Sequence, residues 1–193
     1  METFVKSLEH AAFPDLSKRV DALYNEGDDA LLLGMLGQEY VVRHEGIFLH
    51  GQKAPEIHSA LIQDYLFSGG TVPAVMPWRA ISDFSEQGVP DFKKRAELPL
   101  ANYAAEIIAR SKALLSMVDA EPVPSIIGSD MAITVRALPK VYLHLELSQE
   151  TQEFPAEAWV LFSNNANEFL TVPGMQTLAE VFKDRLLSLL RIY

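Results

Sequence analysis

Four residue types that can do acid–base chemistry fall close together in the stretch RALPKVYLHLELSQETQEFPAEAWVLFS, residues 136–163. They are Arg136, Tyr142, His144 and Glu146, with Trp159 near enough to join them. A carboxylate beside an imidazole orients the ring and raises its basicity; a phenol and a guanidinium can hold or neutralise a developing anion. The spacing puts Tyr142, His144 and Glu146 on one face of a strand, because successive side chains alternate. Val141, Leu143, Leu145 and Leu147 take the other face. In the preceding strand Met131, Ile133 and Val135 oppose Ala132, Thr134 and Arg136. The competing reading is a solvated sheet face, where such cross-strand polar pairs are common. On that reading, which we favour from sequence, His144 and Glu146 are wet and replaceable at a cost below about 1 kcal/mol each.

Other chemistry is sparse. No GxxxxGK[ST] loop, no GxGxxG after a strand and no GxSxG elbow is present. The histidines at 10, 44, 50, 58 and 144 form no HxH, HxxxH or HExxH, the spacings that set two metal ligands on one side of an element. The segment EYVVRHEGIFLHG predicts a hairpin turning at Glu45-Gly46. That register pairs His44 with Ile47, Arg43 with Phe48 and Val41 with His50, so the two rings point apart. No metal and no cofactor is expected. In the last helix, Arg185 falls inside an apolar stripe of Leu178, Phe182, Leu186 and Leu189, flanked by Met175, Val181 and Ile192. We expect its stem to snorkel to water rather than bury its head against an acid.

The elements that must position these groups read as an α+β fold: N-terminal helices and a β-hairpin, then a C-terminal antiparallel sheet of about three strands packed by a final helix. Phe4, Val5, Leu8, Ala11 and Ala12 make one helical stripe, and a second helix opens at Pro14 with Leu16, Val20, Leu23 and Tyr24 at helical spacing. GDDALLLGMLG reads as a short apolar helix between Gly27 and Gly37. A helix at 55–67 opens at Pro55 and stops at Gly69-Gly70. Prolines 73, 77, 90 and 99 make the next stretch mostly loop, with a strand near WRAISDF, and 100–118 reads as helical. Strands follow near 130–137, 140–147 and 156–163, and a helix closes the chain at 174–192. The chain reads as a single domain, 1–193, with a candidate subdomain boundary in the stiff linker EPVPSIIGS, 121–129.

Composition narrows the function classes. The 193 residues are 49% hydrophobic, enough for a sizeable core, and carry a net charge of −10. That charge opposes nucleic-acid binding and repels anionic membranes. The one basic cluster, Lys93-Lys94-Arg95, reads as a solvated helix face. There is no cysteine, so thiol catalysis, disulfides and iron–sulfur ligation by this chain are excluded. METFVKSLEHAAF does not read as a signal peptide and ALLLGMLG is too short to span a bilayer; a cytoplasmic protein is the expectation.

The segments ALPKVYLHLEL and EFPAEAWVLFSNNANEFL, with weaker support from ALIQDYLFSGG and WRAISDF, resemble a bacterial and archaeal family catalogued as domain of unknown function 3786. The resemblance covers most of the chain. It implies a setting rather than a reaction: relatives carry, or sit beside, cysteine-rich iron–sulfur segments of the corrinoid-protein type in anaerobes. Relatives often place an Asp after LF and acids near 172–175. Here Ser163 and VPGM stand there, so the resemblance carries over no acid at those positions and no catalytic residue. The reading that results is a non-enzymatic binding or accessory domain with a protein partner, linked through it to anaerobic one-carbon or corrinoid metabolism. Homo-oligomers are compatible with it. The alternative is a small enzyme using the Arg136, Tyr142, His144 and Glu146 face.

Overall fold

The computed structural model describes residues 8–85 and 89–192. Phe4 and Val5 of the N-terminal stripe therefore lie outside the described residues; Leu8, within them, is buried in the core. Helix α1, Phe13–Val20, opens with Pro14 in its first turn and stops at Asp21, which takes φ 57°. That stop corrects the expected continuation: Leu23 and Tyr24 belong to a strand.

Five strands form the first antiparallel sheet in sequence order: β1 (Leu23–Asn25), β2 (Ala30–Met35), β3 (Gln38–Arg43), β4 (Gly46–Leu49) and β5 (Gln52–Lys53). The expected helix over ALLLGM is thus a strand. It pairs with β1 through Ala30–Leu32 and with β3 through Leu31–Met35, and Leu31 and Leu33 are fully buried. A run that short has no period to separate strand from helix. Its exit is a two-residue turn, Leu36-Gly37, with φ of 52° and 73°, the double positive φ that a tight hairpin of native twist needs. Only glycine fits the second position, since a Cβ there would lie 2.2 Å from the Met117 carbonyl oxygen.

The β3–β4 hairpin exists, with its turn one residue earlier than expected and each cross-strand partner displaced by two. Arg43 pairs with Gly46, Val42 with Ile47 and Val41 with Phe48, so His44-Glu45 is the turn. His44 is held there by stacking on Phe13 at 4.4 Å and by a 2.7 Å hydrogen bond to the Leu8 carbonyl. His50 occupies the next tight turn at φ 51°.

Helix α2, Glu56–Leu66, follows Pro55 as its N-cap. WRAISDF is not a full strand: Arg79 alone bridges to Phe162, and Ile81–Phe84 is a 3-10 turn. The basic cluster lies on a π turn, Lys93–Glu97, with all three side chains exposed. Short helices α3 (Leu98–Ala101), α4 (Ala104–Ala109) and α5 (Ser111–Met117) complete the helical segment.

The second sheet has four strands in order, β6 (Ala120–Pro122), β7 (Met131–Leu138), β8 (Val141–Ser148) and β9 (Glu157–Phe162). The start of the expected linker is therefore its edge strand, β6. The opposite edge is blunted: Glu97 accepts a hydrogen bond from the Val160 N–H at 3.0 Å, and Arg79 exchanges two backbone bonds with Phe162. The sheets meet where the Leu36 N–H donates to Ala137, and one apolar cluster runs through both. Helix α6, Val172–Leu190, is capped by Thr171. It buries Leu178, Phe182, Leu186 and Leu189 and runs beside α2, the π turn and α3–α5. Ile192, expected to flank the stripe, is 70% exposed.

Candidate functional site

β7, β8 and β9 bring the sequence candidates onto one face. Arg136 pairs with Tyr142, Thr134 with His144 and Ala132 with Glu146; on the other side His144 pairs with Leu161 and Glu146 with Trp159. The face then divides along its length.

At the inner end it is closed, which corrects the expectation of a wet surface. His144 and Glu146 are 1% and 0% exposed. The Trp78 indole stacks on the imidazole at 5.1 Å and 18°. The segment 125–129, read from sequence as linker, folds over the carboxylate instead. Ser125 Oγ donates to Glu146 Oε2 at 2.6 Å, and Ser129 Oγ donates to the same oxygen. The Ile126 N–H donates to Oε1 at 2.7 Å, and His144 Nε2 lies 2.9 Å from the same oxygen. Desolvation raises the Glu146 pKa, yet the hydrogen bonds from Ser125, Ser129, Ile126 and His144 outweigh it and hold the carboxyl down at about 2. An ionised carboxylate only accepts, so the imidazole proton facing it is on Nε2. Nδ1, the atom a base would present to substrate, is buried with no hydrogen-bond partner.

At the outer end the face opens into a groove of about 530 Å³ whose lining includes Trp78, Thr134, Arg136 and Tyr142, with Met76 on one side and Asp21 and Lys140 on the other. Arg136 lies across from Asp21 at 3.2 Å, both exposed. A neighbouring depression of about 480 Å³ shares Asp21, Arg136 and Pro139 and continues toward the β2–β3 turn. The wall 71–76 is held from beneath. Asn165 accepts from the Val75 N–H and donates to the carbonyls of Val72 and Pro73, the Asn164 N–H donates to Val75, and Lys140 Nζ donates to the carbonyls of Thr71 and Arg19.

Sequence reasoning thus found the strand residues and missed what covers them. Trp78 lay in a stretch read as strand, and Ser125 and Ser129 in one read as linker. The usable signal was PSIIGS itself: two serines around a glycine, able to supply several donors to one anion. Among the described residues no group of three or more His, Cys, Asp or Glu side chains could hold a metal ion. Among the same residues, no helix is long and apolar enough to cross a membrane.

A family model described as a domain of unknown function (DUF3786) matches residues 12–185, and the chain belongs to that family. No curated protein matches it, and no solved structure does.

Proposed function

We propose that this family member is a non-enzymatic binding domain that takes an apolar segment of a protein partner into the groove over Trp78 and Tyr142. One observation carries the reading: the polar face is sealed where its acid–base pair lies and open where its aromatic and apolar groups lie. Met76 lines that opening and is 56% exposed, and Val72 and Val75, 50% and 38% exposed, belong to the same 71–76 segment. They stand on a wall pinned by Asn164, Asn165 and Lys140, which lowers the ordering cost of binding. The net charge of −10 and the exposed Asp21 favour a partner segment with basic flanks. Any iron–sulfur chemistry in the setting implied by the resemblance would belong to that partner, because this chain has no cysteine.

A photo-crosslinking residue placed at Met76 tests this, with one at Phe154 as control. Phe154 is 68% exposed at the other end of the second sheet. The expected result is a discrete adduct from position 76 alone, whose partner binds the purified chain and loses roughly tenfold or more in affinity for Met76→Glu. Equal adducts from both positions, or none from 76, would overturn the reading. A second reading, an acid–base enzyme, is favoured by the unpartnered His144 Nδ1. It needs the Trp78 indole to swing aside. An activity abolished by His144→Gln and untouched by Met76→Glu would support it instead.

A further inference from the structure

We infer that the cleft between β3, α2 and α6 is a second, separate site, which binds a small monocarboxylate with a compact apolar body. The cleft holds about 280 Å³, the size of a small organic acid rather than a peptide. Leu49 and Val181 supply apolar wall, and Tyr40, His58 and Arg185 converge on it from three different elements.

Arg185 is the residue that asks for a ligand. It stands inside the apolar stripe of α6, its Nε is buried, and that nitrogen has no hydrogen-bond partner. Among the described residues no carboxylate lies within ion-pair distance of its guanidinium. Asp184 borders the same cleft but is taken up by Lys183 at 2.7 Å. Arg185 is only partly exposed; its buried, unpaired Nε–H is costly, and an entering carboxylate would satisfy it in the forked geometry guanidinium prefers.

The neighbours are suited to a single negative charge. Tyr40 shares a 2.8 Å hydrogen bond with His58 Nδ1. Burial pushes the Tyr40 hydroxyl up to about 12, partly offset by Arg185, so it remains a neutral donor. Burial also lowers the His58 pKa, which favours the uncharged ring. One uncompensated cation among neutral donors matches a monoanion. A phosphate dianion would need more positive charge than the cleft holds.

Calorimetric titration of the full chain with benzoate, 3-methylbutanoate, benzamide and inorganic phosphate tests the assignment. Saturable binding of both carboxylates, and none of the isosteric amide, is expected. Arg185→Met keeps the stem's packing and should weaken benzoate by roughly tenfold or more. Tyr40→Phe, which keeps the ring, should weaken it by a smaller factor and serves if Arg185→Met does not fold. Arg136→Ala should leave benzoate affinity unchanged, because it lies in the other groove. No carboxylate binding at about 10 mM, wild-type affinity in the Arg185→Met and Tyr40→Phe variants, or phosphate binding more tightly than benzoate would each overturn it.

Discussion

His144 Nε2 donates to Glu146 Oε1 at 2.9 Å, two residues along the same strand, with both side chains closed to solvent. The pair is therefore a buried network, not a surface pair. Removing Glu146 leaves the Ser125 hydroxyl, the Ile126 N–H and the imidazole N–H without their acceptor, while Ser129 Oγ keeps the Met131 carbonyl. Glu146→Ala should cost about 3–5 kcal/mol, in the range for stranding the partners of a buried charge. Urea unfolding measures it, and a cost below about 1 kcal/mol would mean the segment 125–129 does not close over the carboxylate.

The same carboxylate sets an acid limit. Its folded pKa, near 2, is below the ordinary value of 4.5. A depressed acid contributes stability that is fully present above the unfolded value and is lost as pH falls through the folded one. Wild-type stability should therefore fall between about pH 4.5 and 2. Glu146→Gln should be less stable at pH 7 and lose less across that window. Denaturation midpoints at pH 5, 4, 3 and 2 give the comparison; parallel curves for the two proteins would contradict it.

Gly37 makes a backbone prediction. Its φ is +73°, and a Cβ added there would meet the Met117 carbonyl oxygen at 2.2 Å. Gly37→Ala must therefore both strain the turn and push α5 away. A loss of about 1–3 kcal/mol or more is expected. Gly51→Ala, at φ +77° with nothing within 4 Å, should cost less, because it carries the strain without the clash. Thermal unfolding of both variants reads the difference, and equal losses would remove the clash from the account.

Legibility followed the length of the pattern. Val141 to Leu147 alternates for long enough to set both strand and faces, and Leu178 to Leu189 repeats often enough to set a helix. Ala30 to Met35 repeats too little to tell the two apart. Gly46 looked like a turn residue, but it pairs with Arg43, and the turn fell on His44-Glu45, which carries no turn signature. At the site, the strand residues announced themselves through period two. Their burial did not, because it is made by Trp78 and Ser125–Ser129, distant in sequence and joined to His144 and Glu146 by contacts no local pattern encodes. Arg185 was visible as a misfit in its stripe, while the cleft around it depends on Tyr40 and His58.

Phe182 lies at the centre of the α6 stripe with no exposed surface. Truncation to Ala removes a full aromatic side chain from a packed core and should cost about 3–5 kcal/mol. Chemical denaturation tests this directly. A small effect would mean that the helix is not seated on the core cluster.

The two ends of the polar face should separate stability from binding. Arg136 pairs with Asp21 at the surface, 43% and 63% exposed, and surface ion pairs contribute little. Arg136→Ala and Tyr142→Phe should each shift stability by less than about 1 kcal/mol. Tyr142→Ala removes part of the groove floor, and together with Arg136→Ala it should weaken a partner that crosslinks at position 76. His144 works the other way: it touches no groove solvent, so His144→Phe, which keeps a ring beneath Trp78, should leave partner affinity unchanged while lowering stability by removing the donor to Glu146. Partner affinity and urea midpoint measured on the same four variants decide the matter. If His144→Phe weakens partner binding as much as Tyr142→Ala while the fold is intact, the buried pair takes part in recognition and the division of this face into a structural and a binding half is wrong.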